Sequence, residues 1–552
     1  MTRTIPTKES LRVEFKSDRA KLADRDIVLT VVCLANTEGG DVYLGVEDDG
    51  TVTGLHPEHR DEARLAASIA NRTSPSLDVR VTVFEELGQL VARIEVQRSL
   101  AIVATSDGQT QRRRIKHDGT PECVALLPAE ALSRLGDLGQ LDFSARPVSG
   151  ATIDDLDPDE RRRLREIHRR FQASSDPSLR DLSDDDLDGA LGFVDVVDGR
   201  HTPTVTGLLV LGRERALWRH LPAHEVMFQV FDGADLKVNE AWRCSLLRVF
   251  DAIEAHVRVR NEQTEVQVGL FRVPIPTVDE RGFREAVLNA FVHRDYARAG
   301  AIHIQWGADS IEVSNPGGFV EGVTLDNLLV THPRARNRTL ADALKRIGLV
   351  ERSGRGVDLI FAGVLRYGRP APDYSRSDST SVSVVLSHGQ ADVAFLRMIL
   401  DEEKRLGASI SIPALIALAQ IRKERRCPLS SIVQAIQRSE SETRGVVERL
   451  VEAGLIEARG ERIGRVYILS EKVYRLTDRA AAYEHQKGLD PAEQEARVLQ
   501  HAGAHGEVRR ADVVALCHLS DDQATRLLQR LVREGKLVSE GKSKGARYRL
   551  PT

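Results

Sequence analysis

Glu285 and Asn289 stand four residues apart in the string GFREAVLNAFVHRDY, residues 282–296. On a helix, residues four apart share one face, so a carboxylate and an amide would point into a common cleft. In a nucleotide site Glu285 then serves as general base by polarising the attacking water. The amide oxygen of Asn289 ligates a Mg²⁺ that bridges the phosphate oxygens of ATP. Asn315 precedes the Pro316, Gly317, Gly318 turn in IEVSNPGGF and sets a polar side chain beside a backbone that a planar base can approach. Gly354, Arg355 and Gly356, in LVERSGRGVDLI, open a further helix whose free N–H groups and dipole favour phosphate. His293, Arg294 and Asp295 follow the Glu–Asn segment directly and read as lining of the same site, with a structural ion pair as the other reading. Arg334, Arg336, Asn337 and Arg338 lie between the two glycine strings on a loop, solvated or covering the site. No GxxxxGK[ST] string occurs, so any ATP is held without a P-loop.

A second set of acids opens the chain. Glu9 and Glu14 lie five apart around LRVEFKS, followed by Lys16 and by NTEGGDVYLGVEDDGTVTGL with its acidic tip, Glu47 to Asp49. Gathered together, these carboxylates and the lysine would make a divalent-metal and phosphate site of the kind that cuts nucleic acid. Gly39, Gly40, Gly45 and the DDG turn at 48–50 fit a β-hairpin with tight turns equally well. Arg112, Arg113, Arg114, Lys116 and His117 form a dense basic run, which is either a solvated face or a phosphate contact.

The elements that must position these groups follow from length and periodicity. The 552 residues predict roughly three to five domains. The 41% hydrophobic and 29% charged content is that of a folded globular chain. No apolar run is long enough for a membrane span and the N-terminus lacks a signal peptide, so a cytoplasmic location and no membrane partner are expected. The five cysteines, Cys33, Cys123, Cys244, Cys427 and Cys517, show no CxxC pairing and read as small buried hydrophobes. Alternating strands around an apolar helix predict an α/β domain over 1–140, and an acidic connector with a basic helix spans 141–200. A second α/β domain over 201–390 starts with strand-like TVTGLLVLG and VMFQVF, then helices near 245–260, 279–293, 338–347 and 355–366. Residues 391–480 and 481–552 each read as short helices followed by a Gly-bounded hairpin. This last part carries a net +5 against −9 for the rest.

In the second of these C-terminal units Ser520 caps a helix whose Ala524, Leu527, Leu528 and Leu531 face the core, leaving Arg526 and Arg530 outward. Lys542, Lys544, Arg547 and Arg549 lie on the hairpin. In the first, Arg438, Thr443, Arg444 and Arg449 line the exposed helix face, and Arg459, Arg462 and Arg465 the hairpin. Both units predict winged helices, with a helix for the major groove and a basic wing for phosphates of double-stranded DNA.

Two resemblances add to this reading. ESLRVEFK and NTEGGDVYLGVEDDG resemble the strings of the Schlafen-type AlbA domain over about 120 residues. The likeness implies a nucleic-acid-binding module, with RNA as a further partner. In the nuclease members it implies three acids, here Glu9, Glu14 and Asp48, with Glu47 as an alternative third. The NAFVHRDY, NPGG and GRG strings resemble the N, G1 and G2 boxes of GHKL (Bergerat) ATPases. They are most similar to bacterial chains that join AlbA and GHKL domains and are described as helicase-related transcriptional regulators. The resemblance implies that Glu285 is the base, Asn289 the Mg²⁺ ligand, Asn315, Gly317 and Gly318 the adenine side, and Gly354, Arg355 and Gly356 the phosphate side. It also places a mobile lid over residues 334–338. Most GHKL members have an aspartate where this chain has Asn315, and a neutral amide accepts the adenine amino proton more weakly. The resulting expectation is an α/β multidomain protein: an AlbA domain, a GHKL sandwich and tandem winged helices. It is read as an ATP-binding, homodimeric, DNA-binding transcriptional regulator. The alternative is an ATP-licensed, metal-dependent nuclease of nucleic-acid defence.

Overall fold

A computed structural model describes residues 5–171, 175–268, 271–349, 356–460, 465–471, 473, 491–517, 521–540 and 547–551. At the N-terminal end, strands Val13–Lys16, Gly40–Leu44, Gln89–Val96 and Arg80–Glu86 lie side by side in that order. The first pair is parallel and the rest antiparallel. Helix Asp24–Ala35 packs its Ile27, Val31 and Leu34 against Val42, Leu44, Ala92 and Ile94 of the sheet. Gly40 explains the doubled glycine. Its φ is 136°, and a Cβ there would overlap the Arg12 carbonyl, so the strand comes this close only without a side chain.

The cysteine expectation needs correction. Cys33 and Cys123, 90 residues apart, are joined as a disulfide; Cys427 and Cys517 are buried free thiols and Cys244 is half-buried.

Residues 141–200 are not a solvated connector. Leu156, Leu164, Leu179, Leu187, Leu191 and Phe193 all lie in the central core. The acids that made the stretch look solvated work locally instead. Asp157 caps helix Pro158–Arg170, Ser183 caps Asp184–Ala190, and Asp188 receives two hydrogen bonds from Arg161. Glu160, on the same helix, is buried and held by Ser245 and Arg248.

The expected strand at 204–212 is a helix, Val205–Leu211, with every residue buried. A short run buried on all sides has no period to distinguish helix from strand, and Thr204, accepting from Gly207 N, supplies the cap. Beyond it a five-stranded mixed sheet runs Asp235–Trp242, Val226–Asp232, Ile302–Trp306, Ser310–Pro316, Ser381–Ser387. Only the Val226–Ile302 pair is parallel. Helices Leu246–Arg260, Glu280–His293, Arg338–Ile347 and Gly356–Leu365 fall where the periodicity placed them and contribute to the same core.

The C-terminal segment repeats one order of elements. The first copy has helix Ile412–Glu424, strand Cys427–Pro428, helices Leu429–Ile436 and Glu440–Glu452, and strands Ile456–Arg459 and Val466–Leu469. The second has Pro491–His505, Val508–Arg509, Arg510–Cys517, Asp521–Arg533, Val538–Glu540 and Arg547–Arg549. Each set of strands forms a three-stranded sheet. The first copy is continuous with the central core through Leu418, Ile432 and Val447, so residue 390 is not a break in packing. The second has a core of its own, including Ala524, Leu527, Leu528 and Leu531 as expected. No helix among the described residues is long and apolar enough to cross a membrane.

Candidate nucleotide-binding site

Helix Glu280–His293 begins at Asp279, whose carboxylate accepts from Gly282 N at 2.8 Å. Two glycines let helix Gly356–Leu365 cross it closely. A Cβ on Gly282 would meet Leu359 O at 3.0 Å, and one on Gly363 would meet Asp279 Oδ1 at 2.8 Å. That crossing sets Gly356, at the start of its helix, against Glu285, so that a Cβ on Gly356 would overlap Glu285 Oε1. Glu285 is 5% exposed, and Asn289, one turn on along the same face, is half-buried. Burial pushes the Tyr374 hydroxyl up, and the charge of Glu285 adds to the shift. Sequence reasoning missed Tyr374; nothing in its local spacing singles it out. Gly354 and Arg355 lie outside the described residues.

Asn315, near the end of strand Ser310–Pro316, is buried and donates Nδ2 to Pro316 O at 3.1 Å, which leaves Oδ1 as acceptor. Gly317 follows with φ 97°, its N–H bonded to Thr380 O at 2.7 Å. The guanidinium of Arg336 covers this turn, where a Cβ on Gly317 would overlap its Nη1. Its Nη2 donates to Gly318 O at 2.9 Å and pairs with Asp137, while Nε and Nη1 are buried without a hydrogen-bond partner among the described residues. The expectation of a solvated or mobile loop is therefore corrected at its centre. Arg336 and Asn337 are buried, and Asn337 donates to Val292 O and Arg294 O. Arg334 and Arg338 are exposed.

The HRD string divides in the same way. Arg294 is fully buried, donating to the carbonyls of Ala223, Asp295 and Gly300, with Tyr296 beneath its guanidinium at 4.8 Å. It pins the chain and does not line the site. Asp295 accepts from Ser133 and pairs with Arg298 at 3.1 Å. Burial, with the Arg336 charge nearby, pushes His293 down to about 4, so it stays neutral at neutral pH. Helix Pro128–Asp137 thus reaches the glycine turn from the N-terminal side through Ser133 and Asp137.

The N-terminal acids are arranged differently. Glu9 Oε1 accepts from Phe15 N at 2.9 Å; burial, and next the charge of Glu14, push Glu9 up, so these two do come together. Glu14 is 6% exposed and held between Lys16 and Arg113. Asp48 is exposed on its turn, and Glu47 accepts from Ser17 and Thr53. Among the described residues no three His, Cys, Asp or Glu form a metal-holding group, so the three-acid set Glu9, Glu14, Asp48 is not assembled. Arg113 is also corrected as a phosphate contact, because it is buried and donates to Ser10 O and Val13 O as well as pairing with Glu14. Arg112 pairs with Glu130 and Arg114 with Glu122, while Lys116 is exposed. Sequence reasoning missed the buried Asp18–His59 pair, whose members are 41 residues apart and share no motif.

In the C-terminal units Arg465 and Arg526 are exposed, and Arg444 pairs with Glu440 at 2.5 Å. Arg547 and Arg549 share Glu507, and Arg530 lies 3.9 Å from Glu495. Thr443, expected on the exposed face, is fully buried. Arg462, Ser520, Lys542 and Lys544 lie outside the described residues.

Three family models match this chain. Residues 300–386 match the family described as "Putative ATP-dependent DNA helicase recG C-terminal", residues 9–120 match "Schlafen, AlbA_2", and residues 135–227 match a domain of unknown function. No curated protein matches. Among solved structures, the DIP2311 protein from Corynebacterium diphtheriae is similar over 100% of this chain and 96% of its own. The identity is 22% and the TM-score 0.50, a likeness of fold. The glycine turn and the strands around it fall inside the first match and the Glu9–Glu14 segment inside the second; the chain is an AlbA-like protein that also carries an ATPase-type domain.

Proposed function

We propose that this protein is an ATP-binding, DNA-binding transcriptional regulator in which a GHKL-type site controls the arrangement of its AlbA and winged-helix parts. The observation that carries the reading is the placement of Glu285 against Gly356 at a helix start, with Asn289 one turn along the same face. The residues suit a magnesium-bound triphosphate. Glycine at 356 leaves open the approach that a Cβ would fill, and a helix start attracts phosphate. A bound Mg²⁺ would neutralise phosphate oxygens that a carboxylate as near as Glu285 otherwise repels. Asn289 would hold that ion, Glu285 would orient a water and accept its proton, and Asn315 Oδ1 would accept from the base amino group. Both C-terminal units act as winged helices in this reading, with Glu440–Glu452 and Asp521–Arg533 as recognition helices presenting Arg444 and Arg526 to duplex DNA. The protein works as a homodimer on two half-sites, and the AlbA part also accepts RNA.

Titration with a fluorescent ATP analogue and Mg²⁺ tests this. Wild type is expected to bind, Asn289→Ala to lose about a hundredfold in affinity, and Glu285→Gln to bind without turnover. A duplex-DNA mobility shift is expected to change on adding nucleotide in wild type only. Equal or absent nucleotide binding in wild type and Asn289→Ala removes the ATP part, and a shift indifferent to nucleotide removes the regulatory part.

A further inference from the structure

Helix Glu280–His293 has a second functional face. Arg284 precedes Glu285 by one residue and so lies about 100° around the helix axis. That face closes one side of a cavity of about 670 Å³, bounded also by helix Leu246–Arg260 and by the end of helix Pro158–Arg170. The volume falls within the range of small-molecule sites. The cavity has an aromatic floor and a cationic rim. Phe283 is buried, while Phe171 and Phe250 are half-buried and turned to the space. Arg170, Arg281 and Arg284 are exposed at its edge, and none of the three forms an ion pair with a described residue.

Of the three acids in the lining, Glu254 pairs with Arg258 of the lining itself at 2.8 Å and Asp251 pairs with Arg163. Glu280, which accepts from Asn261 at 3.4 Å, keeps its charge against Arg170, Arg281 and Arg284. The surplus charge at the mouth is therefore positive. An apolar body alone would leave the guanidinium groups without a counter-charge, and a simple inorganic anion would leave the phenylalanine floor wet.

We propose that this cavity binds an amphipathic organic anion, a small molecule with an aromatic or aliphatic body on the three phenylalanines and a carboxylate or sulfonate on Arg281 and Arg284. The site adjoins the nucleotide reading on the same helix: Arg284 lies about 100° around the axis from Glu285, while Arg281 stands one turn before Glu285 on its face. A ligand there would touch the helix that carries Glu285 and Asn289.

The test uses the full chain and two probes of similar shape. One is the charged 1-anilinonaphthalene-8-sulfonate and the other the uncharged N-phenyl-1-naphthylamine, each followed by fluorescence and competed with decanoate. Wild type is expected to bind the sulfonate at one saturable site and to release it to decanoate but not to decanol. Arg281→Ala/Arg284→Ala, both exposed positions, is expected to bind the sulfonate about tenfold more weakly while its affinity for the uncharged probe changes less than twofold. Circular dichroism confirms the fold, and Arg281→Glu/Arg284→Glu is expected to lose more than the alanine pair. Equal binding of the two probes by wild type, or unchanged sulfonate affinity in the alanine pair, overturns the proposal. Displacement by an acidic amphipathic peptide but not by decanoate also overturns it, in favour of a groove for another chain.

Discussion

Glu14 and Glu285 are two carboxylates of almost equal burial, 6% and 5% exposed, on different elements: Glu14 in a strand and Glu285 on a helix beside another helix's start. Glu14 meets two cations, Lys16 and Arg113, and Arg113 is itself anchored to two backbone carbonyls. Glu285 lies against the first residue of a helix, a glycine. Burial alone therefore says little about what an acid does. A carboxylate enclosed by fixed guanidinium and ammonium groups holds a fold together; in the proposed nucleotide reading, one beside a helix start would meet an incoming anion and its metal.

The contrast can be broken most forcefully at Arg113. Arg113→Ala leaves Glu14 buried with only Lys16, and is expected to cost about 3 kcal/mol or more in chemical denaturation. An unshifted midpoint would mean that Glu14 is free after all, which would return it to the metal-dependent alternative. A smaller effect is expected at Gly356. Gly356→Ala drives a methyl into Glu285 and is expected to cost about 2 kcal/mol. Adding Glu285→Ala should recover most of that loss, since the collision partner is gone; a strictly additive double variant would separate the two residues. A further effect is in pH. Burial pushes His293 and His224 down to about 4 from 6.5, so between those values the unfolded chain binds protons that the folded one does not. Stability from this source is complete above 6.5 and is lost as pH falls toward 4. Urea midpoints at pH 7.5 and 5 should show the drop, and His293→Gln should remove about half of it, the His224 share remaining.

The elements nearest the candidate site are the most legible in the amino-acid sequence. Arg338–Ile347 has one apolar stripe and a left-handed Gly348 at its end, so pattern and punctuation agree. Glu285 and Asn289 need only helical geometry to be brought to one face. Val205–Leu211 escapes recognition because burial on every side erases the period. The 141–200 stretch does so because its leucines are sparse among charges, and only packing reveals that Leu164, Leu179 and Leu187 share a core. Cys33 and Cys123, like Asp18 and His59, are joined by the fold across long separations that leave no spacing to recognise. The surroundings of Gly317 are hidden for the same reason. The group lying over it is Arg336, from a later loop.

Arg336 is bonded at once to the carbonyl of Gly318 and to Asp137, 199 residues earlier in the chain. Neither neighbour can be displaced alone without stripping a buried cation of a partner, a penalty of several kcal/mol. The turn and the Pro128–Asp137 helix therefore travel together. Strain at residues 315–318 is passed to that helix, through Arg336 and alongside it through the Ser133–Asp295 bond.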